Sequence, residues 1–514
     1  MKHICYLFNL LLALFFASNP LSAQKDTEFW FVAPEISQNA NNLDRPVVFR
    51  FSSYGAPAIV TVSQPANPSF PLQTINLAAN SSGELEFPPF FNNVENTPPN
   101  TVLNKGFYIK STSPITAYYE ILGEVPNNPE IFSLKGKNAL GTTFYVPFQS
   151  ATDNSSGYTP LPHAAFDIVA TENNTTVTIN PTQPIVGSPT MTPLTVVLNR
   201  GQTFSAQALS QAASAHPSGS KVVANKPIAI TMKDDLLEGG PLFGGFCRDV
   251  MGDQLVPVEK VGTKYVVQKG FLNGNERAYV VATVDGTQVK MDGLTQGTIN
   301  AGQTLELIIT TGRHFIESTA PVYVLQMTGM NCEVAGEILP ALDCSGSSAV
   351  RFVRSTGQDF YLFIVTKAGN QGGFSLNGNS ALIPAGLFQP VPGSNGAFVS
   401  AVVPLSTLNV PVGQSSVVSN SLGLFQVGFL DGGLSTGCRF GFFSDFGNQT
   451  QVEKDIVFCP GSSVTINGTS YNQPGTVVDT IPGVIGCDTV ITYNLQHDPL
   501  DLEVNIEEVF CEAG

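Results

Sequence analysis

The chain has 514 residues, of which only 12% are charged, with a net charge of −16 and a mean hydropathy of +0.11. That length is too great for one ordinary core and requires several domains. The acidic balance excludes nucleic acid and anionic membrane as favoured partners, and a surface wetted by Asn, Ser, Thr and Gln is a habit of exported β proteins.

Lys2, the apolar run from Ile4 to Ala17 and the small residues ending at Ala23 read as a secretory signal peptide over residues 1–23. The remainder is then secreted, or attached at a cell surface by something outside this sequence. No later stretch is long and apolar enough to span a bilayer.

A first unit, about 27–125, opens on Phe29-Trp-Phe-Val32 and continues through Val47-Val-Phe-Arg-Phe51 and Ile59-Val-Thr-Val62, which alternate at period two as strands do. The next two units, 139–232 and 260–330, repeat a common phrase. Gly141-Thr-Thr-Phe-Tyr-Val146, Phe166-Asp-Ile-Val-Ala-Thr171 and Gly201-Gln-Thr203 are answered by Gly262-Thr-Lys-Tyr-Val-Val267, Tyr279-Val-Val-Ala-Thr283 and Gly302-Gln-Thr304. Each of the first three units ends on an alternating run interrupted by a proline, Pro114, Pro227 or Pro321. Because proline lacks an N–H, this pattern predicts strand, short connection, strand. A fourth, divergent unit spans 350–447 and includes Phe360-Tyr-Leu-Phe-Ile-Val365 and Phe425-Gln-Val-Gly-Phe429.

Only Ala206 to Ala215 reads as briefly helical, ended by Pro217. The predicted fold class is therefore all-β, built from tandem β-sandwich-like units; a single propeller-like closed assembly is the alternative. A small β module follows at 452–507, and Glu508-Val-Phe-Cys511 restarts its phrase over residues 508–514, so a fragment of a longer surface protein is expected.

Seven cysteines remain once Cys5 leaves with the signal, and an oxidising compartment should pair them. Short local loops favour Cys332 with Cys344 and Cys459 with Cys487, leaving Cys247 with Cys438. The absence of any C-x-x-C pair argues against a metal role.

Catalytic signals are sparse. Gly433-Leu-Ser435-Thr-Gly437 satisfies G-x-S-x-G, but a nucleophile elbow needs a following helix, and Cys438-Arg-Phe-Gly-Phe-Phe443 reads as strand. His163, His216, His314 and His497 are far apart in sequence. Asp234, Asp235, Glu238, Asp249 and Asp253, on a Gly-rich stretch, are the candidate ligands for Ca²⁺, with a solvated acidic loop as the alternative. No other cofactor is expected. Loops 150–164 and 234–252 are candidate binding loops, the second carrying Phe243 and Phe246, which either meet a ligand such as a sugar ring or fill a core.

The residues Gly262-Thr-Lys-Tyr-Val, Val281-Ala-Thr-Val-Asp-Gly-Thr-Gln-Val and Gly252-Asp-Gln-Leu-Val-Pro257 resemble the N-terminal domain of IgGFc-binding proteins over roughly 24–448. The string from Cys332 to Ser347 is similar to the form of that domain in secreted Bacteroidetes proteins. The module from Cys459 to Leu495 is similar to Cys-x-Gly and Gly-Cys-Asp-Thr repeats of large adhesins. The resemblance implies a noncatalytic, extracellular adhesion module whose partner is a glycoprotein, mucin, glycan or matrix surface; it maps no residue to an Fc contact. A structural spacer is the second reading, and a secreted hydrolase the third.

Overall fold

The computed structural model describes residues 24–37, 46–87, 94–122, 128–343, 345–447, 450–481 and 489–497. The signal-peptide reading, Cys344, Cys487 and residues 508–514 lie outside them. The chain divides into two compact units, 1–448 and 449–514.

The larger unit is almost wholly β and repeats one topology four times. Each repeat is organised on a long strand: Phe107–Ile121, Ser220–Glu238 and Arg313–Asn331 in the first three, and the pair Ser415–Asn420 and Phe425–Gly432 in the fourth. The first half of a long strand pairs with one set of strands and the second half with another. In the second repeat, Ser220–Val223 pairs with Gly141–Val146 and Lys221–Ala224 with Thr175–Asn180, whereas Ile228–Ile230 pairs with Ala164–Ala170 and Thr231–Glu238 with Arg248–Gln254. The two half-sheets share one core, in which Phe144, Val177, Leu198 and Val222 pack with Phe166, Ile168, Phe204 and Ile230. Each repeat is thus a β-sandwich folded from a single bent ladder.

The prolines explain the bend. Register shifts fall between Lys110 and Ile115, between Val223 and Ile228, and between Glu317 and Val322, which brackets Pro114, Pro227 and Pro321. A residue without an N–H cannot continue the ladder, so the strand leaves one layer there and enters the other. The expected short connection is therefore a kink within one continuous strand. Only in the fourth repeat, where no proline stands at this place, does a true break at 421–424 separate the halves.

The repeats also close on one another. Each ends in a short closing strand, Glu130–Leu134, Arg248–Gln254, Glu333–Ile338 and Cys438–Phe442, and these four lie side by side in a ring, the fourth against the first. Apolar clusters cross every seam. Leu236 and Val250 of the second repeat join the core of the first, and Tyr279, Tyr323 and Leu325 of the third join the core of the second. Phe363, Leu430 and Phe440 of the fourth join the third, and Tyr118 and Ile131 of the first join the fourth. Burying one such side chain contributes roughly 1.5–3 kcal/mol, so the four repeats are held as one body. The tandem-sandwich and closed-ring readings both hold: the sandwiches are the blades of the ring.

The smaller unit is a three-stranded sheet in which Thr450–Phe458 runs parallel to Thr489–His497, itself antiparallel to Gly475–Ile481, with a hairpin Val464–Ile466/Thr469–Tyr471. Phe458, Ile466 and Leu495 form its core. The helix expected over Ala206 to Ala215 shrinks to one 3₁₀ turn at Ala213–Ala215, because Thr203–Gln207 is recruited as an edge strand on Ala164–Ala170.

Candidate functional site

The long connection after Gly141–Val146 folds back against the end of the long strand Ser220–Glu238 and the stretch 209–212, enclosing a cleft of about 540 Å³. Asp153, Asn154, Ser156, His163, Ser210, Gln211 and Glu238 supply its polar lining, with Leu161 and Leu209 as apolar patches. The walls are tied by backbone bonds: Glu238 N donates to Asp153 O, Ser155 N to Leu236 O, and Asn154 N to Gln211 O, each at 2.9 Å. Gln211 Nε2 donates to Ser155 O at 2.5 Å and to Pro162 O at 3.2 Å. A cleft braced this way is largely formed before any ligand arrives.

Beneath it lies a buried network. Asn154 Nδ2 donates to Asp234 Oδ1 at 2.8 Å, Gln149 Nε2 donates to Asp234 Oδ2 at 3.0 Å, and His216 Nδ1 lies 3.2 Å from Asp234 Oδ2. Burial opposes charge on His216, but Asp234 outweighs it and raises the imidazole above its usual value. His163, on the cleft wall, is shifted down, by burial and then by the Lys233 charge, and its buried Nδ1 has no hydrogen-bond partner.

Glu238 also lines a second, smaller cleft of about 210 Å³ with Gly240, Pro241, Gly245, Phe246, Cys247 and Arg248. The two candidate binding loops thus meet at Glu238. In the second loop, Phe243 is buried at 4% exposure and packs into the core, whereas Phe246 is 93% exposed. Gly244 and Gly245, with φ of 75° and 84°, make the reversal between them, a conformation that an L side chain resists. The loop is clamped by a disulfide from Cys247 to Cys332, at the turn between the long and closing strands of the third repeat.

That bond corrects the expected pairing. Cys332 joins Cys247 rather than Cys344, and Cys438 is a buried thiol whose Sγ donates to Glu333 O at 3.1 Å. Local loop length misled because the closing-strand turns of different repeats converge, bringing together cysteines 85 residues apart. The Cys459–Cys487 expectation involves a residue outside those described.

The five acidic residues proposed for calcium are dispersed. Asp234 serves the His216 network, Asp235 Oδ2 lies 3.3 Å from Lys233 Nζ, and Glu238 lies 3.7 Å from Arg248. Asp249 and Asp253 belong to a buried strand, not a loop. Among the described residues, the one group with metal-ligating atoms close together is Cys247, Cys332 and Glu333.

Sequence reasoning missed why Asp249 and Asp253 are acidic. Closing strands that ring an axis are inner sheet edges, and their buried N–H groups need acceptors. Carboxylates provide them. Val334 N donates to Asp249 Oδ2 at 2.8 Å, Ile338 N to Asp253 Oδ2 at 3.3 Å, and Glu130 accepts from Phe440 N at 3.1 Å and Gly336 N at 3.4 Å. Burial pushes Glu130, Asp249 and Glu337 well above the carboxylate range, helped at Asp249 by Glu333 and at Glu337 by Asp253, and it raises Asp253 and Glu333 against neighbours that favour their charge. The signal was acids within apolar strand phrases, Asp249-Val-Met-Gly-Asp253 and Glu333-Val-Ala-Gly-Glu337, spaced four apart in both.

Ser435 sits in the exposed turn between Phe425–Gly432 and Cys438–Phe442, with strand on both sides and no helix after it. The required context of a nucleophile elbow is missing.

The clefts of this β ring lie in loops carried on its strand frame, where functional residues gather. The family model described as IgGFc binding protein matches residues 132–428, more than half of the 514-residue chain, and the chain belongs to that family. No curated protein matches it. Among solved structures, an α-L-rhamnosidase of Streptomyces avermitilis in complex with L-rhamnose aligns at 8% identity over 79% of this chain and 57% of that one, with a TM-score of 0.10. A tetra-tandem repeat from the extending region of a large adhesion protein aligns at 9% identity over 77% and 92%, with a TM-score of 0.09. Similarities this low carry no argument about fold or function.

Proposed function

We propose that the chain is a secreted or cell-surface binding protein that recognises a glycoprotein, glycan or matrix surface without transforming it. The observation that carries this reading is the pairing, at Glu238, of a braced cleft rich in hydroxyl, amide and carboxylate groups with a fully presented aromatic ring, Phe246. A hydroxylated ligand uses both: its polar groups exchange hydrogen bonds with Asp153, Ser156 and Glu238, and its apolar face covers the phenyl ring that water otherwise surrounds. Membership of the IgGFc binding protein family supports a protein ligand that carries such sugars. No helix among the described residues is long and apolar enough to cross a membrane.

The test is binding of the purified chain to immobilised mucin, a glycan panel and IgG Fc, before and after enzymatic deglycosylation. Saturable binding that disappears with the sugars supports glycan recognition. Binding that survives deglycosylation moves the ligand to the protein surface. A folded chain that binds none of them overturns the proposal and leaves the spacer reading.

A further inference from the structure

One ammonium stands among the axial carboxyls. Lys135, just after the closing strand Glu130–Leu134, places Nζ 2.5 Å from Asp253 Oδ1 and 3.7 Å from Glu337 Oε1, and all three side chains have 0% exposure. The Phe446 ring centroid lies 4.9 Å from Nζ, and Ser133 Oγ lies 3.1 Å from it. Asp253 is held from both sides: Oδ1 accepts from Gln254 N at 2.6 Å and Oδ2 from Ile338 N at 3.3 Å. Glu337 Oε1 accepts from Ser133 Oγ at 2.5 Å. Burial, with the Asp253 charge beside it, raises Glu337 well above the carboxylate range and favours its protonated form.

In water such an amine and acid remain a hydrated ion pair. Here hydration is removed from both charges, which burial disfavours, while the fixed contact gives the amine a very high effective concentration at the carboxyl carbon. A neutral carboxylic acid beside them is a proton carrier in reach of both reacting groups.

We propose that Lys135 and Asp253 are joined by an intramolecular amide bond, formed in the folded protein with Glu337 as the proton carrier. Nζ gives a proton to a carboxyl oxygen of Asp253 and attacks Cγ with its freed electron pair. Glu337 delivers its proton to that same oxygen and recovers one from the nitrogen. The C–O bond breaks as the C–N bond is completed, and the oxygen departs as water carrying one proton from the ammonium and one from Glu337, which the second ammonium proton replaces. The balance is ammonium plus carboxylate giving amide plus water, and no oxidant or co-reactant enters. The oxygen that stays becomes the amide carbonyl, and a backbone N–H of Gln254 or Ile338 is already directed at it.

Among the described residues, the other deeply buried lysine differs in each respect. Lys233 Nζ is shared between Glu35 at 3.1 Å and Asp235 at 3.3 Å, the Glu35 side chain is 12% exposed, and Asp235 lies two residues away on the same strand. Lys135 and Asp253 are 118 residues apart, and their bond would staple the first repeat to the second.

The test is peptide mapping by tandem mass spectrometry of the full chain, folded, then reduced, alkylated and digested. The expected result is a branched peptide that contains both Lys135 and Asp253 and is lighter by one water than the sum of its two arms. In Glu337→Gln the branched peptide should fall at least tenfold, and in Lys135→Arg it should vanish. Recovery of Lys135 and Asp253 only in separate linear peptides from folded wild-type protein overturns the proposal, whether or not the variants fold. A branched peptide undiminished in folded Glu337→Gln overturns the role given to Glu337.

Discussion

Arg439, on the closing strand of the fourth repeat, hydrogen-bonds Glu120, on the long strand of the first, across 319 residues of sequence. Arg50 Nε reaches the other oxygen of the same carboxylate at 2.5 Å, and Ser355 Oγ donates to it at 2.7 Å. Burial pushes Glu120 up, but Arg439 and Arg50 outweigh it and hold the group below the usual carboxylate range. This is the polar counterpart of the apolar seam through Tyr118 and Phe443, whose rings meet edge to face at 5.3 Å. Substituting Glu120→Gln removes the buried carboxylate that the two guanidinium groups share, leaving Arg50 only the exposed Glu84, and the expected loss is about 3–5 kcal/mol. Urea unfolding checks this. An unchanged midpoint would mean that the ring is not closed through this contact.

Acidity should stabilise the ring. Asp167, buried and hydrogen-bonded by Asn96 Nδ2 at 2.7 Å, is pushed up to about 7 by burial, and Glu276, likewise by burial, to about 7. Asp431 and Asp445, again mainly through burial, are raised to about 6. These folded-state values lie above the unfolded ones, so the folded protein holds extra protons. Their stabilising effect is complete below about pH 4 and is lost as pH rises through about 6–7. His216, raised by Asp234 against burial, acts in the same direction, whereas the depressed Glu120 opposes it only in more acidic solution. The melting temperature should therefore fall between about pH 5 and pH 8.

Asp167→Asn isolates one contribution. The amide keeps an acceptor for Asn96 and removes the group that must ionise, so the variant should gain stability at high pH, by an amount on the order of 4 kcal/mol at most, and show a flatter pH profile. Thermal melts across the pH series decide it. A slope identical to wild type would show that Asp167 titrates as an exposed acid does.

The Cys247–Cys332 bond closes a loop of 85 residues between the second and third repeats. Cys332→Ser, or reduction, should cost about 2–5 kcal/mol. It should also speed hydrogen exchange in the 239–247 loop, because the clamp on the Phe246 turn is gone. Exchange confined to the small module instead would contradict the assigned bond.

Much of the architecture was legible because it is written in strand chemistry. The Gly-Thr-aromatic phrases, the period-two runs and the three prolines mark the repeats, and Pro227 in particular marks the kink of the long strand. Of the four closing strands, only Cys438–Phe442 was legible as a strand. Arg248–Gln254 and Glu333–Ile338 carry acids at positions that strand patterning reserves for apolar residues, since their partner is a buried axis rather than solvent or an ordinary core. The same cause scattered the supposed calcium ligands: Asp234, Asp235, Asp249 and Asp253 are near neighbours in sequence but face different seams. The candidate site was half visible. Loop length and glycine pointed to 150–164 and to Phe246, but nothing in the sequence distinguished the buried Phe243 from the exposed Phe246 three residues on, because the turn at Gly244 and Gly245 decides it.

The claim that the cleft and its aromatic rim bind a sugar-bearing surface is tested most directly by titrating wild-type protein and Phe246→Ala, side by side, onto immobilised mucin. Phe246 is 93% exposed, so its removal should leave the melting temperature unchanged. The account predicts saturable wild-type binding and at least a roughly tenfold weaker variant, the loss of an aromatic contact worth about 1.4 kcal/mol or more. Equal binding by the two proteins, or none by either while both are folded, would contradict it.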